Sequence, residues 1–259
     1  MESVTPKKHL GQHFLIDLNI AKKISDTLTY ENYENVLEIG PGMGVLTQFI
    51  IQKKIPHVVE VDNESIEYLK KKFPQLQGKI IQENFLTLDI KKVFSKQLAV
   101  IGNFPYNISS QIVFKIIKHR AQIPFFSGMF QKEVAKRICE SSGSKKYGIL
   151  SVLCQLYYKT SYAFSVPSSV FKPKPNVESG VIKMIRKENF LLNCDETLLF
   201  NIVKISFQQR RKTLRNSLKT LTLPKNLTED SIFDKRPESL NCDAFVKLTN
   251  MIDNVKLSS

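Results

Sequence analysis

Between residues 17 and 185 the chain alternates short apolar segments with helical stretches of about a dozen residues, and that rhythm constrains the fold more than any other feature. Val36-Leu37-Glu38-Ile39 stops at Gly40, and His57–Val61, Lys79–Gln82, Leu98–Gly102, Phe125–Gln131 and Val181–Ile185 read as further strands. Between them Asp17 is placed to cap a helix bearing Leu18, Ile20, Ile24 and Leu28. A second helix starts at Asn63 with Ile66 and Leu69 inward, and a third covers Ser109–His119. Strands joined this way make right-handed crossovers and a mostly parallel sheet covered on both faces, an α/β Rossmann-like architecture. From Asp195 onward only helical periodicity remains (Leu198, Leu199, Ile202, Val203, then Leu214, Leu218, Phe245, Leu248, Ile252), broken at Leu223-Pro224. The expected domains are therefore residues 1–186, with the sheet, and residues 187–259, all-helical.

Glu38-Ile39-Gly40-Pro41-Gly42-Met43-Gly44 follows a strand and opens a helix, the setting in which a glycine-rich turn can bind a ligand. Glycines there permit positive φ and let a ligand approach the main chain. A dinucleotide site needs G-x-G-x-x-G/A, whereas Val45 stands three after Gly42 and the spacing is G-x-G-x-G. The next strand brings Glu60 to its carboxyl end, 20 residues after Gly40, where a carboxylate can accept both ribose hydroxyls. A nucleoside cofactor without a pyrophosphate fits this pattern, and S-adenosylmethionine fits better than NAD. Another tight strand-to-helix turn would also explain the glycines alone.

Strand Leu98–Gly102 runs into Asn103-Phe104-Pro105-Tyr106. In isolation this is a polar turn before the helix at Ser109. At the carboxyl end of a strand it lies on the edge where α/β sheets bind ligands. Asn103 offers a side-chain carbonyl, Phe104 a main-chain carbonyl before a proline, and Tyr106 a flat face, which together suit the exocyclic amine of a purine.

Composition narrows the partner. With 38 Lys+Arg against 24 Asp+Glu the formal charge is +14, which favours an anion such as nucleic acid or an acidic membrane surface. Lys204, Arg210, Arg211, Lys212, Arg215 and Lys219 fall in one stretch without an acid, either an RNA-phosphate contact or a solvated helix face. No apolar run reaches the ~18 residues of a membrane span. The amino-terminal segment lacks an apolar core for secretion, and the four cysteines form no CxxC. These features predict a cytoplasmic protein with reduced thiols and no metal.

In motif order and combination the sequence resembles the ribosomal RNA adenine N6,N6-dimethyltransferases of the KsgA type, which modify two adjacent adenines near the 3′ end of 16S rRNA. The resemblance rests on Lys8–Leu15, Glu38–Gly44, Val59–Asp62, Gln82-Glu83-Asn84-Phe85, Asn103–Ser109, Gln131–Val134, Phe171–Val177 and Phe207–Arg215. It implies a seven-stranded S-adenosylmethionine-dependent methyltransferase sheet with an antiparallel hairpin, a small helical RNA-binding domain, and a monomer acting on 16S rRNA within the 30S subunit. It also implies roles. His13 and Leu15 would border the methionine end of the cofactor, Gly40 and Gly42 its backbone, and Glu60 the ribose. Asn84 stands where the family usually has Asp, so either Asn84 or Glu83 would receive the cofactor's adenine amine. Asn103, which also borders the cofactor, and the Phe104 carbonyl would hold the target amine. Tyr106 would stack on the target base and Phe171 would close its other face. Arg210, Arg211, Lys212 and Arg215 would contact RNA. The rival readings are a large-subunit rRNA methyltransferase conferring antibiotic resistance, an assembly factor with incidental methylation, and a dehydrogenase, the last disfavoured by Val45.

Overall fold

The computed structural model describes residues 4–256, and its chain separates into two compact units. One runs through Ala135 and takes in Thr160–Arg186; the other comprises Lys136–Lys159 and the chain from Lys187. The break at Arg186 lies where the strand rhythm ends. Assignment of Lys136–Lys159 to the second unit is not visible in that rhythm, because the segment interrupts the sheet between two of its strands.

In the first unit, β1 (Phe14–Leu15) pairs antiparallel with β8 (Phe171–Lys172) as a small ribbon. The main sheet is built from β2 (Asn35–Ile39), β3 (His57–Glu60), β4 (Ile80–Gln82), β5 (Leu98–Asn103), β6 (Phe125–Gln131), β7 (Tyr158–Val166) and β9 (Ser179–Arg186), in the order β4-β3-β2-β5-β6-β9-β7. The pairs from β4 to β6 are parallel and β9 runs antiparallel to β6. Strand β2 is wholly buried after Asn35 and β5 through Gly102, as near-continuous apolar runs in a doubly covered sheet should be. β7 alternates exposed and covered residues, and its Tyr-Lys-Thr-Ser-Tyr-Ala-Phe-Ser-Val sequence lacks the apolar run that marks the other strands. Chain order reverses at β2: β3 and β4 extend to one side, β5 and β6 to the other.

Helices α1 (Leu18–Ser25), α2 (Thr47–Ile50), α3 (Asn63–Lys72), α4 (Ile90–Val93) and α5 (Ser109–Lys118) belong to this unit. The Asp17 carboxylate accepts the Ile20 N–H at 3.0 Å, the cap expected from its position. Ile24, Leu28, Leu46, Ile50, Ile101, Phe125 and Met129 form the core that fixes β2 and β5 from one face. The second unit carries the rest of α6 (Lys132–Cys139), then α7 (Ile149–Tyr157), α8 (Glu196–Gln208), α9 (Leu214–Ser217), α10 (Lys225–Thr228) and α11 (Cys242–Lys256). Among the described residues no helix is long and apolar enough to cross a membrane.

Candidate active site

Because the strand order reverses at β2, the loops leaving β2 and β5 diverge and open a crevice at the carboxyl edge of the sheet. A cavity of about 420 Å³ occupies it. Its walls come from His9–Phe14, the glycine turn at Ile39, Gly40 and Gly42, the β3 end at Val59–Val61, the loop Glu83–Leu86, and Asn103–Ile108. His13, Gly40, Gly42, Glu60, Asn84, Asn103, Phe104 and Tyr106, distant in sequence, thus share one cavity.

The glycine turn is left-handed at Gly40, Gly42 and Gly44, with φ of 63°, 54° and 73°. A Cβ on Gly42 would sit 2.8 Å from the Phe14 ring, so a side chain there is excluded both by backbone conformation and by packing. Glu60 is almost fully buried. Its Oε1 accepts the Val61 and Asp62 N–H groups at 2.8 and 3.0 Å, and its Oε2 accepts Gly42 N–H at 3.2 Å. Burial raises its pKa and these three bonds oppose the rise. Beneath the turn the fully buried Glu38 accepts from Thr47 Oγ1 at 2.6 Å, and desolvation pushes its pKa up to about 7.

Asn103 has a defined orientation. Its Nδ2 donates to the His13 carbonyl at 3.0 Å, which leaves Oδ1 as the acceptor it can present to a ligand. Tyr106 bonds its hydroxyl to Ser179 Oγ at 2.6 Å, and burial raises its pKa. The His13 ring stacks beside it, centroids 5.7 Å apart and 26° between planes, with His13 Nδ1 2.8 Å from the Pro173 carbonyl. The Phe104 side chain is 1% exposed and stacks on Phe126 at 5.2 Å, so only its main chain is available for chemistry. Asn84 Oδ1 accepts the Leu86 N–H at 2.9 Å, shaping the loop from within.

Two expected residues are not on the wall of this cavity. Leu15 is 2% exposed, packs in the core and touches a small neighbouring cavity of about 30 Å³ beside Glu38 and Asn103. Phe171 is 4% exposed, in the same core cluster, and is not on the cavity wall. The β8 ribbon pairs Phe171 with Leu15, and both side chains pack in the same apolar cluster. The sequence reading also missed a network that holds the amino-terminal wall: Lys7 pairs with Asp62 and with Glu64 at 3.3 Å, and Ser65 donates to Asp62 at 2.8 Å. Burial pushes the Asp62 carboxyl up, but the bonds from Lys7, Ser65 and Gln12 outweigh it and hold its pKa low.

In the second unit Arg211 and Lys212 are exposed, and Arg210 donates to the Ser144 carbonyl at 3.2 Å. Arg215 is engaged differently. Its guanidinium pairs with Asp234 at 2.6 Å and donates to the Thr228 carbonyl, so it also ties two segments of this unit together. Gly143 N–H bonds the Glu238 carbonyl at 2.6 Å and Leu214 N–H the Lys235 carbonyl at 2.8 Å. Three separated segments are thereby joined, and the exposed Lys145, Lys146, Lys235 and Arg236 accompany Arg211 and Lys212. Their pairing in sequence was the available signal. Among the described residues no group of three or more His, Cys, Asp or Glu is placed to hold a metal ion.

Comparison with known proteins bears on the chemistry of this cavity. The family model described as ribosomal RNA adenine dimethylase matches residues 4–250. The chain belongs to that family. The family shares the methyl donor S-adenosylmethionine and an rRNA substrate, and the chain is accordingly an rRNA adenine dimethyltransferase. It is 60% identical over 255 residues to ribosomal RNA small subunit methyltransferase A of Flavobacterium johnsoniae, covering 98% of each chain. It is 56% identical over 252 residues to the protein of the same name from Parabacteroides distasonis, covering 96% of this chain and 94% of that one. Among solved structures, a dimethyladenosine transferase from Plasmodium falciparum superposes with a TM-score of 0.80 at 28% identity, covering 93% of this chain and 98% of that one. The 23S rRNA methyltransferase ErmE, 21% identical with a TM-score of 0.72 over 93% and 99% of the two chains, shares the fold. The cavity suits the donor: a glycine turn with no Cβ in the way, a buried carboxylate at the β3 end, and volume for a nucleoside with a short side chain.

Proposed function

We propose that this chain dimethylates N6 of two adjacent adenosines in the 3′-terminal hairpin of 16S rRNA, acting as a monomer on the 30S subunit in the cytoplasm during ribosome biogenesis. The observation that carries the reading is the Asn103 amide: with Nδ2 given to His13, Oδ1 is left as the acceptor for a ligand in the cavity that Tyr106 also lines. The names of the relatives from Flavobacterium and Parabacteroides, both small-subunit methyltransferases, support the choice of subunit.

Bound S-adenosylmethionine supplies a methyl group on a sulfonium, already a good leaving group. What the chain contributes is mainly orientation, which can account for ~7–11 kcal/mol of a barrier. Asn103 Oδ1 and the Phe104 carbonyl would each accept one hydrogen of the adenine amine, directing the nitrogen lone pair toward the methyl. Tyr106 would hold the ring plane. Its hydroxyl bond to Ser179 anchors the far end of the ring. Glu60 would accept the cofactor ribose hydroxyls, and the Asn84 loop would receive the cofactor adenine. A neutral amine needs no strong base, and Asp62, committed to Lys7, Ser65 and Gln12, is not free to act as one. The target adenine must leave its stack, at a cost of a few kcal/mol. Arg210, Arg211 and Lys212, with the adjoining Lys145, Lys146, Lys235 and Arg236, would neutralise phosphates of the folded RNA.

Incubation with methyl-labelled S-adenosylmethionine and undermethylated 30S subunits, 50S subunits or naked 16S RNA tests this. Label is expected in 30S as N6,N6-dimethyladenosine. Label confined to 50S would place the target in the large subunit, and no label in any substrate would leave only an assembly role.

A further inference from the structure

One partly buried cation near the cavity has no part in the chemistry above. Lys115 sits on α5, the helix that starts directly after the Asn103–Tyr106 motif. Its Nζ lies 2.6 Å from the Phe85 carbonyl, 3.0 Å from that of Leu86 and 2.5 Å from that of Leu88. It also stands 5.0 Å from the centre of the Phe85 ring. An ammonium has three hydrogens, and here each has its own carbonyl. The loop it grips is the segment whose Asn84, Phe85 and Leu86 wall the same cavity as Asn103–Ile108.

Within the loop, Asn84 Oδ1 accepts from Leu86 N–H at 2.9 Å, and the Asn84 carbonyl accepts from the Thr87 and Leu88 N–H groups at 3.0 Å each. Those contacts close a local turn but join it to nothing else. Its carbonyls at residues 85, 86 and 88 converge on one point, an arrangement with mutually repelling dipoles unless a cation fills it. Lys115 fills it from a helix anchored by buried Ile112, Val113, Ile116 and Ile117.

We propose that Lys115 is a positioning residue for the methyl donor: it fixes the Asn84–Leu88 loop in the shape that reads the cofactor's adenine, and ties that loop to the helix extending from the target-amine motif. The inference rests on the reading that the cofactor adenine lies at this loop. Desolvation lowers the Lys115 pKa, in keeping with an ammonium taken from water and resolvated by carbonyls. Phosphate contact is the other use a lysine on this helix could have, and the two uses differ in what arginine can replace. A guanidinium keeps the charge, but none of its nitrogens can send three N–H groups to the three carbonyls gathered around one point.

The test measures KM for S-adenosylmethionine, kcat at saturation, and binding of S-adenosylhomocysteine against its inosine counterpart, in wild type, Lys115→Met and Lys115→Arg. Losing three bonds to an ammonium is expected to raise KM in Lys115→Met at least ~10-fold, with kcat within about threefold of wild type. The preference for adenine over hypoxanthine should shrink in step. Lys115→Arg should show the same KM defect with an unchanged salt dependence of RNA binding. Wild-type KM and base preference in Lys115→Met would overturn the proposal, as would full rescue by Lys115→Arg, which also carries the test if the methionine variant does not fold. Equal binding of both nucleosides by wild type would instead remove the adenine-loop reading, and the proposal with it.

Discussion

Glu38 offers the sharpest quantitative test of how the glycine turn is supported. Its carboxyl is fully buried, holds one bond from Thr47 Oγ1, and has a pKa pushed up to about 7 by desolvation, with Glu60 adding to the rise. In the unfolded chain the group ionises near its ordinary value of 4.5. Between those values the unfolded state has released a proton that the folded state keeps, so the unfolded state binds fewer protons and stability falls as pH rises. Below 4.5 both states are protonated and there is no cost; above about 7 both are ionised and the cost is complete. At about 1.36 kcal/mol per pH unit, that gap is ~3 kcal/mol. Glu38→Gln removes the titration while its side-chain oxygen still accepts from Thr47. Urea unfolding should therefore find the variant ~3 kcal/mol more stable than wild type at pH 8 but only ~1 kcal/mol at pH 5. A difference that stays constant from pH 5 to pH 8, or a variant less stable at pH 8, would refute the reasoning and mean that Glu38 is ionised in the folded protein at a cost met by other contacts.

Other substitutions separate the roles around the cavity. Tyr106→Ala should reduce kcat/KM for the RNA substrate by roughly 5- to 150-fold, the ~1–3 kcal/mol of one base stack, while affinity for S-adenosylhomocysteine by calorimetry stays put. Tyr106→Phe, which loses only the Ser179 bond, should stay within about tenfold of wild type. Glu60→Gln should weaken S-adenosylhomocysteine binding about tenfold with RNA affinity unchanged, as loss of a charged acceptor at a ribose predicts. Arg210→Ala combined with Arg211→Ala should flatten the plot of log affinity for 16S RNA against log salt by ~1.4–1.8. Arg215→Ala should instead lower the melting temperature and leave that slope alone, since its partners are Asp234 and Thr228.

Much of the first unit is legible in the sequence because β2 and β5 are buried on both faces and so carry near-continuous apolar runs. β7 escaped for the opposite reason: alternation along Tyr158–Val166 gives a mixed signal, and the preceding α7 reads as one more apolar segment. The cavity residues were legible where backbone chemistry demanded a residue type, as at Gly40, Gly42 and the β3-terminal Glu60. The burial of Phe171 was not, since a motif gives the order of side chains but not which of them a two-residue ribbon packs into the core. The Arg215–Asp234 pair is hidden by a similar limit. A run of cations says nothing about an acid 19 positions away that folds back onto one of them.

Long-range contacts of this kind also decide what the Asn103 amide can do. An amide presents either a donor or an acceptor to a ligand according to which end the protein occupies, and the two orientations have nearly the same shape. Here the choice is made by the His13 carbonyl, which takes Nδ2. That carbonyl is itself placed by a chain segment held at Lys7 and Gln12 against Asp62, which Ser65 braces just beyond the end of β3. The β3 end therefore acts twice: through Glu60 on the cofactor side, and through Asp62 on the orientation of the group proposed to receive the target amine. A substitution at Asp62 would loosen the amino-terminal wall and release the constraint on Asn103 together. Asp62→Ala is thus expected to lower kcat as well as cofactor affinity, whereas Glu60→Gln acts on affinity alone. Steady-state kinetics on both variants distinguishes a shared wall from two independent ones, and an Asp62→Ala enzyme with wild-type kcat would show that Asn103 keeps its orientation without it.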